Sequence, residues 1–218
     1  MTEDPLTTQE KWDALYRDSG TPPDVAVASG ILPLAALVEP FAFALPCAAQ
    51  VLYENAHLLP ASGKALDFAC GLGANALFLA AQGLETHAWD ISPVAIARLT
   101  ESAREHGLTL HGDARDLVAQ PPLPASFDVI VSCHFLERPL NPYLMAALRP
   151  GGLLFYQTFT LQRIDDSGPK NAEYRLAVNE LLTLFPGLRV LVYREEGLVG
   201  DVQRGFRNKA MLVAQKVG

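Results

Sequence analysis

The chain has 218 residues, 50% hydrophobic and 19% charged, a composition that fits one folded α/β domain with a sizeable core and excludes a disordered chain. Its formal net charge of −7, without a basic cluster, disfavours a protein that grips a nucleic-acid backbone. The three cysteines, Cys47, Cys70 and Cys133, form no CxxC pair, which argues against a zinc ribbon or a disulfide framework and is typical of a reducing cytoplasm.

The N-terminal stretch "EKWDALYRDSG" predicts a helix, because Trp12, Leu15 and Tyr16 recur on one helical face. That aromatic face is expected either in the core or in a lid over a site. The first ten residues are acidic where a signal peptide needs basic residues, so we expect a cytoplasmic protein.

The apolar segment 31–53 resembles a membrane span but holds three prolines and Glu39. Each proline costs a helix about 3 kcal/mol, and a carboxylate in mid-span adds more. We therefore expect no membrane contact, and a division into an N-terminal helix and cap, residues 1–60, over a binding domain, residues 61–218.

From Ala65 onward, strand-like and helix-like segments alternate with short connections. This order predicts a doubly wound, mostly parallel sheet with helices on both faces. The last two strand-like runs, "LRVLVYREE" and "NKAMLVAQKV", are joined by a loop too short for a parallel crossover. We therefore predict an antiparallel hairpin at the end of a Rossmann-like α/β fold.

The turn after the first strand has the pattern GxGxxA over residues 71–76, with its glycines at Gly71 and Gly73. Glycines there let the backbone approach a bulky ligand at the carboxyl edge of the sheet. The same pattern is also found in dinucleotide sites and in tight turns without a ligand, so it does not identify a cofactor alone.

Three aspartates give further evidence about the ligand that this turn binds. Asp90 ends the second strand, where a carboxylate can accept hydrogen bonds from ribose hydroxyls or simply favour a helix N-terminus. Asp113 follows the third strand, and can bind an adenine amine or stabilise a turn. Asp67 lies inside the first strand, where an unpaired charge is costly and where nicotinamide dehydrogenases are usually apolar.

Together these segments resemble the class I S-adenosylmethionine-dependent methyltransferases. "LDFACGLGANA", "AWDIS", "GDARDL", "FDVIVSCHF" and "ALRPGGLLF" match five family motifs in order. The "KWDALYRDSG" helix and the "GANALFLA" motif are most similar to the tellurite-resistance (TehB-like) branch. The resemblance implies a seven-stranded sheet and S-adenosyl-L-methionine as cofactor.

The resemblance also implies site residues. Those beside the cofactor would be Asp67, Ala69, Cys70, Gly71, Gly73, Asn75, Asp90, Ile91, Ser92, Asp113, Ala114, Cys133 and His134. The catalytic candidates are His134 as a base, and Arg204 and Arg207 as cations that position the acceptor; a turn-capping histidine and a solvated arginine loop are the alternatives. Gln203 stands where members of the branch often have histidine, which puts their substrate chemistry in doubt here.

The expected activity is methyl transfer to a small-molecule acceptor, such as a thiol or a chalcogen oxyanion like tellurite or selenite. The alternatives are a nicotinamide-dependent oxidoreductase, favoured by GxGxxA, and a non-catalytic protein that binds the same cofactor. Residues 159–175 form a long connection at the ligand edge, which favours a substrate lid. No HExxH or comparable histidine pairing occurs, so no metal site is expected.

Overall fold

The computed structural model describes residues 7–18 and 47–218. These residues form one seven-stranded sheet in the order β3-β2-β1-β4-β5-β7-β6. The strands are β1 (Lys64–Phe68), β2 (Glu85–Asp90), β3 (His111–Ala114), β4 (Phe127–Cys133), β5 (Leu148–Phe159), β6 (Leu188–Arg194) and β7 (Lys209–Lys216). The helices are α1 (Thr8–Asp18), α2 (Gln50–Glu54), α3 (Ala74–Ala81), α4 (Pro93–Glu105), α5 (Asn141–Ala147) and α6 (Leu181–Leu184).

The pairing of the strands confirms the predicted fold class. Strands β1 to β5 pair in parallel, whereas β7 pairs antiparallel with both β5 and β6. Because β1 lies between β2 and β4, the strand order reverses beside β1. The carboxyl end of β1 is therefore the position where open α/β sheets bind ligands.

Two strand boundaries differ from the predicted ones. Strand β3 begins at His111, where it pairs with His87 of β2, rather than at Leu108. Strand β5 begins at Leu148, so that the "RPGG" turn belongs to it; the register shifts there between Phe127 and Val129 of β4. Such a bulge lets a turn-like segment remain in the ladder.

Apolar side chains on the two faces of the sheet form two large clusters, and a smaller third cluster lies between α3, α4 and β2. On one face, Val131, Phe155 and Met211 pack against α2 and α3, whose Leu52 and Phe78 are buried. On the other face the buried residues come from the alternate strand positions and from α5 and α6, including Leu66, Ile130, Tyr156, Leu144 and Leu181. Each fully buried side chain of this size stabilises the fold by about 1.5–3 kcal/mol.

Helix α4 has the ends that the sequence predicts. The Ser92 hydroxyl accepts a hydrogen bond from the Ala95 amide at 3.2 Å, Pro93 opens the first turn, and Gly107 follows with a φ of 65°. This start matters for the site, because the Ser92 amide also donates to the Asp90 carboxylate at the end of β2.

The N-terminal segment is only partly described. Residues 31–46 lie outside the described residues, and the remainder of the apolar segment carries α2, which packs on the sheet as expected through Val51 and Leu52. Among residues 7–18 and 47–218, no helix has the length and apolar character needed to cross a membrane.

Candidate functional site

Four neighbouring strands carry a polar side chain at one edge of the sheet, on the face that α2 and α3 cover. They are Asp67 in β1, Cys133 in β4, Gln157 in β5 and Lys209 in β7. Further inside, the same rows of side chains are apolar, as at Val131. The core face thus becomes polar where parallel strands end, which is the arrangement of a ligand site.

The glycine turn starts from this edge in left-handed conformations. Gly71 has a φ of 52° and Gly73 a φ of 78°, and Ala69 just before them has a φ of 59°. A Cβ at Gly73 would overlap the side chain of Leu99, so this glycine lets α3 and α4 pack closely. For Ala69 the left-handed backbone costs about 1–2 kcal/mol, and such strain is typical of functional turns.

The side chain of Asp67, in β1, is buried beneath this turn. Its carboxylate accepts hydrogen bonds from the Ala76 amide at 3.0 Å and from Asn75 Nδ2 at 3.5 Å. Burial raises the pKa of Asp67 to about 7, although these two bonds oppose the shift. Asn75 Oδ1 accepts from the Ala49 amide at 2.8 Å, so the same side chain fastens the segment before α2 to the turn.

Asp90 connects the turn to the end of β2. Its two oxygens accept from the Gly71 amide at 2.8 Å and from the Ser92 amide at 2.9 Å. The side chain is buried, and this burial raises the pKa of Asp90 while the backbone hydrogen bonds oppose the rise. A carboxylate has about four lone-pair positions, so Asp90 can accept further hydrogen bonds from a ligand.

Helix α1 lies directly over this part of the site. Asp13 is buried and accepts a hydrogen bond from the Ser92 hydroxyl, and the Tyr16 carbonyl accepts from the Arg98 guanidinium. The Tyr16 hydroxyl would be 2.9 Å from a Cβ at Gly71. The aromatic face is therefore not a core face: Trp12 stacks on Tyr16 at 5.7 Å and is 42% exposed, and α1 docks through polar contacts.

The residues expected at the adenine end are more open. Ile91 is half-buried and Ala114 is exposed. Asp113 pairs with Arg115, whose guanidinium lies 4.0 Å from the centre of the Trp89 ring. Asp113 therefore already has a cationic partner.

Cys133 ends β4 and His134 follows it, as expected. Burial raises the pKa of the Cys133 thiol, which keeps it protonated. His134 has a φ of 58°, and its amide donates to the Gln157 carbonyl at 2.8 Å. Its ring lies 5.1 Å from that of Phe159.

The imidazole of His134 is neutral at neutral pH. The surrounding protein, and then the positive charge of Lys209, lower the pKa of His134 although the ring is reached by solvent. A neutral imidazole can accept a hydrogen bond from a bound molecule, but its lowered pKa makes it a weak base.

The two arginines of the loop before β7 do not contact His134. Arg207 donates to the backbone carbonyls of Arg204 at 2.6 Å, Gly197 at 2.9 Å and Asp201 at 3.0 Å, and so holds its own loop together. Arg204 is exposed. A catalytic role for either residue stays a prediction.

The sequence interpretation missed Gln157 and Lys209. Gln157 Oε1 accepts from the Val51 amide at 2.9 Å, and its Nε2 lies 3.4 Å from His134 Nε2. Each residue is a polar break in a strand-like apolar pattern: Gln157 lies within "LLFYQTF", and Lys209 lies at the start of "KAMLVA". That interruption was the available signal.

One group of described residues with metal-ligand chemistry lies at the opposite, amino edge of the sheet. Ligand atoms of Glu85, His87 and His111 lie within 4.8 Å of one another. Cross-strand register brings the two histidines together, which linear spacing could not show. However, Lys64 Nζ lies 3.5 Å from Glu85 Oε1 and already neutralises the carboxylate.

Comparison with known proteins supports the same interpretation of the fold. Residues 65–152 match the family described as a methyltransferase domain. The chain is 38% identical over 96 residues to hemagglutinin 1 of Eikenella corrodens, covering 41% of this chain and 32% of that protein. It is 32% identical over 117 residues to the ubiquinone biosynthesis O-methyltransferase of Methylococcus capsulatus, covering 50% of this chain and 48% of that protein.

Among solved structures, the chain is similar to TehB from Haemophilus influenzae. The TM-score is 0.62 with 25% identity, covering 79% of this chain and 63% of that one. The chain spans less than half the length of the curated relatives that it matches. These matches confirm the resemblance to class I methyltransferases and to the TehB-like branch.

Proposed function

We propose that this protein transfers the methyl group of S-adenosyl-L-methionine to a small-molecule acceptor. The match of residues 65–152 to a methyltransferase domain and the fold shared with TehB support the proposal. The observation that carries the proposal is the joining of Asp90 to the glycine turn by the 2.8 Å hydrogen bond from the Gly71 amide. This bond joins the carboxylate that would bind the ribose to a backbone that a bulky ligand can approach closely, at one edge of the sheet, and so supports the proposal.

The residues present fit such a cofactor. The turn has left-handed backbone at Ala69, Gly71 and Gly73, three positions without a bulky side chain, beside which the methionine part would lie. Asp90 has lone pairs left for the ribose hydroxyls, and Ile91 gives an apolar surface for adenine. Asp113 and Ala114 would border the adenine edge, with Asp113 held by Arg115.

The N-terminal part, residues 1–60, acts as the cap in this proposal. Helix α1 covers Asp90 through Asp13 and Tyr16, and Asn75 fastens the Ala49 backbone to the turn. A cap that closes on the bound cofactor would exclude water from an electrophilic sulfonium. The loop after β5 would close the acceptor side, and Arg175 holds it by donating to the carbonyls of Pro169 and Thr160.

Methyl transfer from this cofactor needs no covalent intermediate with the protein. When bound, S-adenosylmethionine supplies an activated methyl group. The chain must then hold a nucleophile in line with that methyl and keep water away. His134 is neutral and lies at the end of β4, where it can accept a hydrogen bond from the acceptor; its lowered pKa makes it a weak base, so the proposal favours an acceptor that is already ionised.

The acceptor is proposed to be a thiol, a hydroxyl or a chalcogen oxyanion. A thiolate or oxyanion needs no strong base, which suits a site where burial keeps Cys133 protonated and His134 is the candidate base. The free cysteines, two of them half-buried, support a reducing cytoplasm as the place of reaction.

Isothermal titration calorimetry with S-adenosylmethionine tests the proposal, with NADH as the competing ligand. We expect saturable binding of S-adenosylmethionine in the micromolar range and none of NADH. Saturable binding of NADH alone would refute the proposal. Release of S-adenosylhomocysteine in the presence of thiols, selenite, tellurite or catechols then separates an enzyme from a protein that only binds the cofactor.

A further inference from the structure

Lys209 is a lysine at the start of a core strand. It pairs with Phe159 across β5 and β7, in the side-chain row that continues inward as Met211 and Val213. The side chain is only partly exposed, and the surrounding protein lowers the pKa of its ammonium group. A lysine in such a position normally has a carboxylate partner or extends into solvent.

Lys209 has neither hydrogen-bond acceptor nor salt-bridge partner among residues 7–18 and 47–218. The other lysine of β7 shows the contrast, because Lys216 Nζ donates to the carbonyls of Met145 at 3.0 Å and Leu148 at 2.7 Å. The acid that stabilises the Lys209 charge from a distance, Asp165, is itself occupied by Asn208 Nδ2 at 2.8 Å. An enclosed ammonium group therefore lacks a counter-ion within the described residues.

Lys209 lies beside His134, at the edge of the sheet where the acceptor would bind. Its Nζ lies 5.3 Å from the centre of the Phe159 ring, whose other near neighbour is the His134 ring at 5.1 Å. The loop after β5 packs on the same ring, since a Cβ at Gly168 would be 2.5 Å from it. The cation, the candidate base and the loop thus meet around one aromatic ring.

We propose that Lys209 binds a negatively charged oxygen group of the methyl acceptor, a carboxylate or an inorganic oxyanion, beside His134 and Phe159. The inference rests on the proposed function and narrows its acceptor to an anion. It also moves the anion-binding role from Arg204 and Arg207 to Lys209, because Arg207 uses its donors on loop carbonyls. A charge-assisted hydrogen bond in a partly enclosed site is among the stronger polar contacts.

Calorimetry on the protein saturated with S-adenosylhomocysteine, which prevents turnover, tests the inference with three probes. Benzoate represents a carboxylate, selenite an inorganic oxyanion, and benzamide a neutral molecule shaped like benzoate. We expect saturable binding of benzoate or selenite, and binding of benzamide at least about 10-fold weaker than that of benzoate. Binding of benzoate would indicate that the acceptor carries a carboxylate, and binding of selenite that it is an inorganic oxyanion.

Variants of Lys209 distinguish an effect of its positive charge on anion binding from an effect on folding. Lys209→Met should weaken the anion that binds by roughly 10- to 100-fold, with unchanged affinity for S-adenosylhomocysteine. Lys209→Arg keeps the charge and should retain most of the anion binding. Arg189→Gln, which removes an exposed cation paired with Gln215 at the far end of β7, is the matched control and should change nothing.

Three results would overturn the inference: no saturable binding of either anion, benzamide binding as tightly as benzoate, or full anion affinity in Lys209→Met. The comparison of benzoate with benzamide needs only the wild-type protein, so it decides the matter even where a variant does not fold. Failure to bind S-adenosylhomocysteine would instead count against the proposed function, and the anion titrations can be repeated on the protein without it.

Discussion

Replacing Asp67 by asparagine should make the protein more stable at alkaline pH. The carboxyl group is 1% exposed, and its two hydrogen bonds, from Ala76 and Asn75, do not compensate for its burial. Asparagine has almost the same shape and can still accept the bond from the Ala76 amide. The substitution removes a buried negative charge with little change in packing.

The size and sign of the effect follow from the pKa of Asp67, which rises from 3.8 to about 7 on folding. Because the folded carboxyl holds its proton more tightly than the unfolded one, stability falls as pH rises between these two values. The full shift corresponds to about 4 kcal/mol above pH 7, as an upper limit. Relative to wild type, Asp67→Asn should therefore gain about 2–3 kcal/mol between pH 5 and pH 8.

Urea denaturation of both proteins at pH 5 and pH 8 measures this gain. Asp166→Asn, which removes a fully exposed carboxylate, is the control and should follow the wild-type pH dependence. Parallel stability curves for wild type and Asp67→Asn would refute the reasoning, since they would show that the carboxyl does not titrate differently on folding. Weaker binding of S-adenosylmethionine by Asp67→Asn would explain why the destabilising acid is present.

Three further predictions concern the turn, the loop and the cap. Gly73→Ala should lower the free energy of unfolding by about 1–3 kcal/mol more than Gly83→Ala in urea titrations, because both have positive φ but only Gly73 would overlap Leu99; equal losses would contradict this. Arg175→Met removes a guanidinium that donates to three loop carbonyls and should speed thermolysin cleavage within residues 160–175; cleavage at the wild-type rate would show that other contacts hold the loop. Binding of S-adenosylmethionine should shift the fluorescence of Trp12 in a Trp89→Phe background, since α1 lies over Asp90; an unchanged spectrum at saturation would count against the cap.

The order of strands and helices was predictable because local signals agree with the tertiary structure. Ser92 and Pro93 start α4, Gly107 ends it, and the short loop before β7 excludes a parallel crossover. The cost of burying Asp67 was also visible from its place in an apolar strand. These inferences need only the chain periodicity and the chemistry of single residues.

Other features depend on contacts between distant parts of the chain. Leu108 and Leu110 look like strand residues, but they pack beside α3 and α4, and the ladder of β3 starts only where His111 meets His87. The helical face of Trp12 and Tyr16 looked apolar, yet the residue that α1 buries is Asp13. A helical wheel does not show which face meets a polar partner.

The arginine and lysine assignments show the same difficulty. Arg207 and Lys209 are two residues apart, and each is a plausible anion ligand on composition alone. Loop geometry turns Arg207 toward carbonyl groups, and pairing with Phe159 places Lys209 at the polar edge of the sheet. The difference between them arises from tertiary structure.

The insertion of β7 between β5 and β6 also sets an order for folding during synthesis on the ribosome. Strands β1 to β4, with the glycine turn and Asp90, are contiguous and emerge first, so the cofactor half can assemble early. The outer edge of β5 then waits for residues 160–208 to be translated, several seconds at about 5–20 residues per second. During that interval an apolar strand with unpaired backbone groups is exposed, which is a hazard for aggregation. Nascent chains stalled before residue 209 should therefore be those that most need a chaperone.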